Sequence, residues 1–377
     1  MDSPLTNDTP RYQQVLSILR KEIASGRYAS GEKLPSEADL VKRFGASRIT
    51  IGRAMRELQN LDLIERRAGS GTYVRAAKTS GLTFGLLIPN LGQTEIFEPI
   101  CQGMADASQA ARHALLWGNA SENSKRSEQA WQLCRQYIER EVSGVFFAPL
   151  EYTPEDITVN QQIAAALDKA RIPIVLLDRC YLPYPERSAH DLVGVDNRRV
   201  GYIATDHLLK LGCRRIAFFA LPHAASTVEA RVAGYQEALF RGGIPTGPNL
   251  VQKFDASDRL AVQAFVEAER PEAFVCANDR TAGSLMRSLL ALGYRIPDQI
   301  KVVGIDNLPF ASLLPVPLTT VHQPGREMGV VAMAVMLNRL ADPHLPFRDV
   351  LLASHLVVRD SCGAPATQGK DTPPMQS

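Results

Sequence analysis

Asp178 and Arg179 follow the apolar run at 174–177, Asn278 and Asp279 follow 273–277, Asp306 and Asn307 follow 302–305, and Asn90 follows 84–88. Carboxylates accept hydroxyl protons, arginine and amide nitrogens donate, and an aromatic ring covers a C–H face, so such a set suits a neutral polyol. Asp and Asn at these places can also simply cap the next helix. That alternative fits Asp279 and Asp196 better than Asp178-Arg179 or Asp306, where charges beside apolar runs need partners. A different chemistry stands near the start of the chain. Ser47-Arg48-Ile49-Thr50 opens a helix whose outer face carries Ile49, Gly52, Arg53 and Arg56. An arginine can fork onto guanine, a hydroxyl can bond phosphate, and an apolar branch can meet a thymine methyl, which suits a helix laid in a major groove. There is no G-x-S-x-G, Walker loop or H-E-x-x-H, and the seven histidines lack ligand spacing. The sequence therefore points to no enzyme, no metal and no cofactor.

The elements that hold these residues read as two regions. In the first, Tyr12, Val15, Leu16, Leu19 and Ile23 form one apolar helical stripe. Ser36 caps a second helix with Asp39 three residues on, and Gly45 permits a turn. Ser47 caps a third helix with an inner stripe of Ile51, Ala54, Met55, Leu58 and Leu61. Strands at 63–67 and 72–75 flank Gly69-Ser70-Gly71, a tip small enough to approach a phosphate backbone. Residues 76–82 read as a linker. Beyond it, apolar runs at 84–88, 114–117, 145–148, 174–177, 192–195, 216–220, 273–276 and 302–305 alternate with helical stretches at 96–112, 127–141, 198–211, 229–241, 258–269 and 281–292. This alternation predicts an α/β region of parallel sheets covered by helices, in two lobes, with ligands beyond the carboxyl ends of strands.

Tyr12, Leu34-Pro35-Ser36-Glu37, Ser47-Arg48 with Thr50, and Gly69-x-Gly71-Thr72-x-Val74 together resemble the winged helix-turn-helix of the GntR family. The resemblance implies DNA contacts from Ser36, Glu37, Ser47, Arg48, Thr50, Arg67 and Gly69. Many relatives place an arginine where this chain has Gly52, with Arg53 following, so either Arg53 substitutes or a contact is lost. The second region is similar to the effector domain of the LacI family, which has the fold of periplasmic sugar-binding proteins. The motifs that carry this are Ile174 to Arg179, Val193 to Asn197, Arg231-x-x-Gly234-Tyr235, Cys276 to Asp279, Val302 to Asn307 and Pro317 to Val321. By that resemblance Asp178, Arg179, Arg231, Asn278, Asp306 and Gln323 bind an effector, with Asn90, Phe97 and Phe254 contributing. It also implies a first lobe of about 83–192 plus 324–348 and a second of about 193–322 plus 349–363.

The totals fit. Residues 1–76 carry 13 Lys and Arg against 9 Asp and Glu, while the whole chain is +2, so the basic excess sits beside the groove-reading helix. Six scattered cysteines form no C-x-x-C pair, which argues against a disulfide framework or zinc ribbon. The polar start lacks a signal-peptide core and no run is long enough to span a membrane, so a cytoplasmic location is expected. The expectation is a DNA-binding head at 1–75, an effector domain at 83–363 and a disordered tail at 364–377. Such a chain would be a homodimeric repressor, bound to double-stranded operator DNA and released by a monosaccharide, in an arrangement resembling regulators of arabinose use. Two alternatives stay open, a ligand that promotes DNA binding and a solute-binding protein.

Overall fold

The computed structural model describes residues 10–24, 27–28, 31–60, 63–67, 70–74, 81–88, 96–107, 113–118, 125–150, 153–222, 224–245, 247 and 250–364. The chain divides into two units, Met1–Gly81 and Leu82–Ser377. Most of the expected linker, the tip residue Gly69, Leu61, Asn90 and the tail beyond 364 lie outside the described residues.

The first unit contains α1 (Arg11–Ala24), α2 (Glu37–Phe44), α3 (Arg48–Asn60), β1 (Ile64–Arg67) and β2 (Gly71–Val74). Its core is the set of residues whose spacing foretold it, with Val15 and Leu19 of α1 against Ile51, Ala54, Met55 and Leu58 of α3. Ser36 and Asp39 form the reciprocal capping box at the start of α2, and Gly45 ends it at φ 56°. β1 and β2 pair antiparallel with Ile64 opposite Val74 and Arg67 opposite Gly71. Glu22 of α1 is nearly buried and holds Arg43 of α2 and Arg27, which ties the first two helices together. These arginines hold its carboxyl below the usual carboxylate range.

The second unit runs β3 (Thr83–Leu87), α4 (Phe97–Asp106), β4 (Ala114–Leu116), α5 (Arg126–Glu139), β5 (Gly144–Phe147), α6 (Pro154–Lys169), β6 (Ile174–Leu177), β7 (Asp191–Val195), α7 (Asn197–Lys210), β8 (Ile216–Ala220), α8 (Ser226–Arg241), β9 (Val251–Lys253), α9 (Arg259–Glu269), β10 (Ala273–Cys276), α10 (Asp279–Ala291), β11 (Lys301–Asp306), β12 (Thr319–His322), α11 (Gly325–Ala341), β13 (Asp349–Leu352) and β14 (His355–Val357). One sheet has the order β13-β7-β6-β5-β3-β4 and the other β14-β12-β11-β10-β8-β9. All pairs are parallel except β12 with β14. In each sheet the chain starts inside, at β3 or β8, adds one strand on one side and then crosses to build the other. The exits of β3 and β5, and of β8 and β10, are therefore the switch points where such sheets leave a crevice.

Two expected boundaries shift. Residues 193–195 and 349–352 belong to the first lobe, because β7 pairs with β6 on one side and β13 on the other. The chain crosses between lobes at Asp196, at Gln323-Pro324 and at Ala353-Ser354. The helices α6 and α11 and the strands β9, β12, β13 and β14 were not read from the sequence. β13 and β14 have half-buried, alternating edges that give weak patterns, and α11 is apolar nearly all round.

Both lobes use the same helix packing. Gly201 of α7 lies against the Arg231 carbonyl of α8, and Gly234 of α8 against the Arg198 carbonyl of α7. Gly103 of α4 and Gly329 of α11 face the Arg326 and Ile100 carbonyls in the same reciprocal way. A Cβ at any of the four would land on backbone, so each helix pair is locked at a spacing only glycine allows.

Candidate functional site

In the first unit, Ser47 Oγ accepts from the Thr50 backbone N–H at 3.2 Å and lies 2.9 Å from Thr50 Oγ1. This cap leaves Arg48 and Ile49 exposed in the first turn of α3, with Ile49 81% exposed. A single exposed apolar side chain is ordinary, as Leu260, Phe240 and Leu313 show, so what fits Ile49 to a base methyl is its place beside Arg48 in the first turn of α3. Arg53 is not loose, because its guanidinium sits 3.9 Å over the Tyr12 ring. That contact fixes where its donors lie. Arg67 bonds Glu65 at 2.7 Å and stacks at 4.6 Å on Tyr73. Glu37 pairs with Arg66 of the wing. Ser36 has its one hydroxyl proton on Asp39 at 2.6 Å, so its expected DNA contact has only an acceptor to offer.

Gly52 is the irregular position. Nothing lies within 4 Å of where its Cβ would be, and its φ is not positive, so no packing demands glycine there. Glycine inside a helix costs about 0.5–1 kcal/mol relative to alanine. Gly52→Ala is expected to stabilise the head by that amount in thermal unfolding while weakening DNA binding, since the open space faces the same side as Arg48 and Arg53. Unchanged DNA affinity in an alanine variant with a raised Tm would show that the gap has no role in contact.

In the second unit, the strand exits converge on a cavity of about 190 Å³. That is roughly six water volumes at about 30 Å³ each, below the roughly 300 Å³ of small drug-sized pockets. Phe97, Asp178 and Arg179 line it from the first lobe, and Arg231, Asn278, Thr281 and Asp306 from the second. Ile96, Leu221, Pro222 and Val228 supply apolar wall. Larger hollows of about 580 Å³ along α10 and about 860 Å³ beside Arg171 and Arg339 lie away from these exits. Arg339 there has its donors committed to Asp191 and to the carbonyls of Pro343, Leu345 and Pro346.

The polar groups are arranged in advance. Arg231 is buried, donating Nε to Asn197 Oδ1 at 2.8 Å and Nη1 to the Ala277 carbonyl at 2.5 Å, which leaves its other donors for the cleft. Arg179 donates to the Pro149 carbonyl from Nε at 3.0 Å and from Nη2 at 2.7 Å, and bonds Asp178 Oδ2 at 2.8 Å. It thus joins the exits of β5 and β6. Asp178 is buried, and its second oxygen has no partner among the described residues. Asp178 and Asp306 both have positive φ, 70° and 123°. The surrounding fold holds both carboxylates in this less common backbone conformation at their strand exits.

Burial pushes the Asp306 carboxyl up to about 7, helped by Asp279 and Asp178 and opposed by Arg231 and the Gln323 bond. The residue keeps some exposure to the cleft, yet too little to offset the loss of solvation. Gln323 does not line the cavity; its Nε2 donates to Asp306 Oδ1 at 2.5 Å, so it positions Asp306. Phe254 is a correction. It packs edge-on against Phe219 at 4.6 Å in the outer core of the second lobe, because β9 is the edge strand there and its exit does not face the cavity. Asn197 and Thr281 were missed. Asn197 acts through Arg231, 34 residues away, and no spacing rule reaches that far. Thr281 lies in the helical turn that Asn278 caps, where reading one residue further would have found it.

Residues 11–74 match the model of bacterial regulatory proteins of the gntR family, and 205–362 match that of the periplasmic binding protein-like domain. The chain joins a GntR-family DNA-binding head to a periplasmic-binding-protein-like domain. This GntR-headed chain is 27% identical, over 93% of its own length and 97% of the relative's, to the arabinose metabolism transcriptional repressor of Geobacillus stearothermophilus. A transcription regulator GntR from Chromobacterium violaceum superposes with a TM-score of 0.61 at 26% identity, covering 75% of this chain and 100% of that one. The transcriptional regulator CelR in complex with cellobiose has a TM-score of 0.64 at 24% identity, over 84% of this chain and 91% of that one, which is a likeness of fold. Among the described residues no helix is long and apolar enough to cross a membrane.

Proposed function

We propose that the chain is a homodimeric transcriptional repressor, released from a two-fold operator when a small neutral sugar enters the cleft. The observation that carries the effector half is the pair of charged strand exits facing one another across about 190 Å³, with carboxylates on both lobes and arginine donors already oriented. The two carboxylates are matched in charge by Arg179 and Arg231, which suits a neutral ligand, and a ring of hydroxyls supplies the donors the carboxylates need. The apolar wall with Phe97 covers the C–H face. The arabinose-metabolism repressor, similar over nearly its whole length, supports a pentose. In the head, α3 reads base edges from Arg48 and Ile49, and Thr50 with Arg67 meets the backbone.

The test uses the full chain. DNA is selected from a random pool, and fluorescence anisotropy then follows the complex while L-arabinose, D-ribose, D-xylose or D-galactose is added. Enrichment of a two-fold sequence and release by at least one of these sugars is the expected result. A pool that yields no sequence, or a complex indifferent to all four, sinks the reading.

Binding should also depend on pH with a set sign. Ligand hydroxyls donate to ionised Asp306, whose carboxyl in the empty site sits at about 7, so binding favours loss of its proton. Affinity is expected to fall as pH drops from 8 to 6, approaching tenfold per unit below the empty-site value. Calorimetric titration in two buffers of different ionisation enthalpy would report proton release near pH 6.5. A flat profile, or tighter binding in acid, would remove Asp306 from the ligand's contacts.

A further inference from the structure

Thr281 carries a polar atom that nothing described so far uses. It lies in the first turn of α10, is 3% exposed and lines the cleft. Its backbone N–H donates to Asn278 Oδ1 at 2.8 Å, but its Oγ1 is buried and has no hydrogen-bond partner among the described residues. Inside a helix a threonine can bond the carbonyl four residues back, but Thr281 is the third residue of α10, and the residue four back, Ala277, lies before the Asn278 cap with its carbonyl accepting from Arg231 Nη1. A valine would fill the same space with no unpaired group, so the hydroxyl adds chemistry to the wall and no packing. The opposite lobe has a matching group in Asp178 Oδ1, also buried and unpartnered. Each wall of the cleft thus holds one orphan that its own lobe cannot satisfy.

We infer that Thr281 is a specificity-determining residue whose hydroxyl reads one hydroxyl group of a neutral polyol held at its other edge by Asp178. This rests on the polyol reading of the cleft. A sugar with a hydroxyl at the matching carbon satisfies both orphans at once and bridges the lobes. A deoxy analogue at that carbon leaves the buried Thr281 hydroxyl without its partner. Sites built to bond a substrate hydroxyl discriminate strongly against analogues that lack it.

The wild-type chain, Thr281→Val and Thr281→Ser are titrated by calorimetry with L-arabinose, D-ribose, D-xylose and D-galactose, and with the monodeoxy analogues of whichever binds. Thr281→Val is expected to lose roughly 10- to 100-fold in affinity for that sugar, and Thr281→Ser to stay within about threefold of wild type. One deoxy analogue should bind wild type and the valine variant equally weakly, while the other analogues still distinguish them. The empty valine variant should melt at or above the wild-type temperature, because an unpaired buried hydroxyl has been removed. Valine affinity within about threefold of wild type for every binding sugar overturns the inference and leaves the polyol reading standing. So does an equal loss toward every analogue together with a lowered Tm, which marks a structural role. If none of the four sugars binds the wild-type chain, the polyol reading falls and the inference with it.

Discussion

Asp306→Asn is expected to weaken effector binding by roughly 10- to 100-fold and, at the same time, to stabilise the empty domain at pH 8. The two effects have one cause. Asparagine resembles the protonated carboxyl, so it keeps an oxygen to accept from Gln323 but offers a ligand hydroxyl no charge. Losing a charged hydrogen bond in a closed site costs about 1.5–3 kcal/mol, or roughly 10- to 100-fold in affinity. The stability effect follows from linkage. The folded carboxyl sits at about 7, above its unfolded value, so its favourable contribution is fully present below the unfolded pKa and is lost as pH rises through 7. At pH 8 the ionised, desolvated group works against the fold by at most about 4 kcal/mol, and by less where water enters the cleft. The variant should therefore gain roughly 3–8 °C in Tm at pH 8, and this gain should shrink on acidification toward pH 5. Calorimetric scans at both pH values decide it. A variant that is less stable at pH 8, or whose gain grows in acid, would mean that Arg231 needs the carboxylate more than the fold is harmed by burying it.

Arg48→Ala is expected to weaken binding to a selected operator by about 10- to 100-fold while effector affinity stays unchanged. Arg48 is exposed in the first turn of α3 and makes no contribution to the head's core. Its loss should leave the stability of the head within about 0.5 kcal/mol of wild type. The salt dependence separates two roles. If Arg48 forks onto a base, the variant relaxes sequence preference at one position with the salt slope nearly intact. If it meets a phosphate, affinity falls on all sequences and the slope drops by about one. Operator affinity equal to wild type in an anisotropy titration would displace α3 as the recognition helix.

Much of this fold was legible because the signals were local. The capping box of Ser36 and Asp39, the αL glycine at 45, and Ile51, Ala54, Met55 and Leu58 of the inner stripe of α3 each rest on steps of no more than four residues, and these stand where spacing put them. The strand exits were legible too, since parallel strands place their last residues together whatever the loops do. What escaped was non-local. Asp191 bonds Arg339 and Arg348 across 148 and 157 residues, and no pattern around Asp191 announces a buried ion pair. Phe254 was misplaced because an aromatic after a strand looks alike whether that strand is at the edge or beside the switch point. Only the sheet order β10-β8-β9 tells them apart.

The reciprocal glycines bear on how this domain can be altered. Phe97 rides on α4 and Arg231 on α8, and each of those helices is fixed to a partner at backbone distance. Neither helix can shift against its partner to suit a different ligand, so each pair moves as one piece. Re-tooling the cleft for a new effector has to work through side chains at the strand exits, such as those at 179, 278 and 281, while 103, 201, 234 and 329 stay glycine. By the same token, any closing movement is confined to three short joints, Asp196, Gln323-Pro324 and Ala353-Ser354, and one of them holds the very glutamine that braces Asp306. A ligand on Asp306 and a turn of this joint thus act on the same Gln323–Asp306 hydrogen bond.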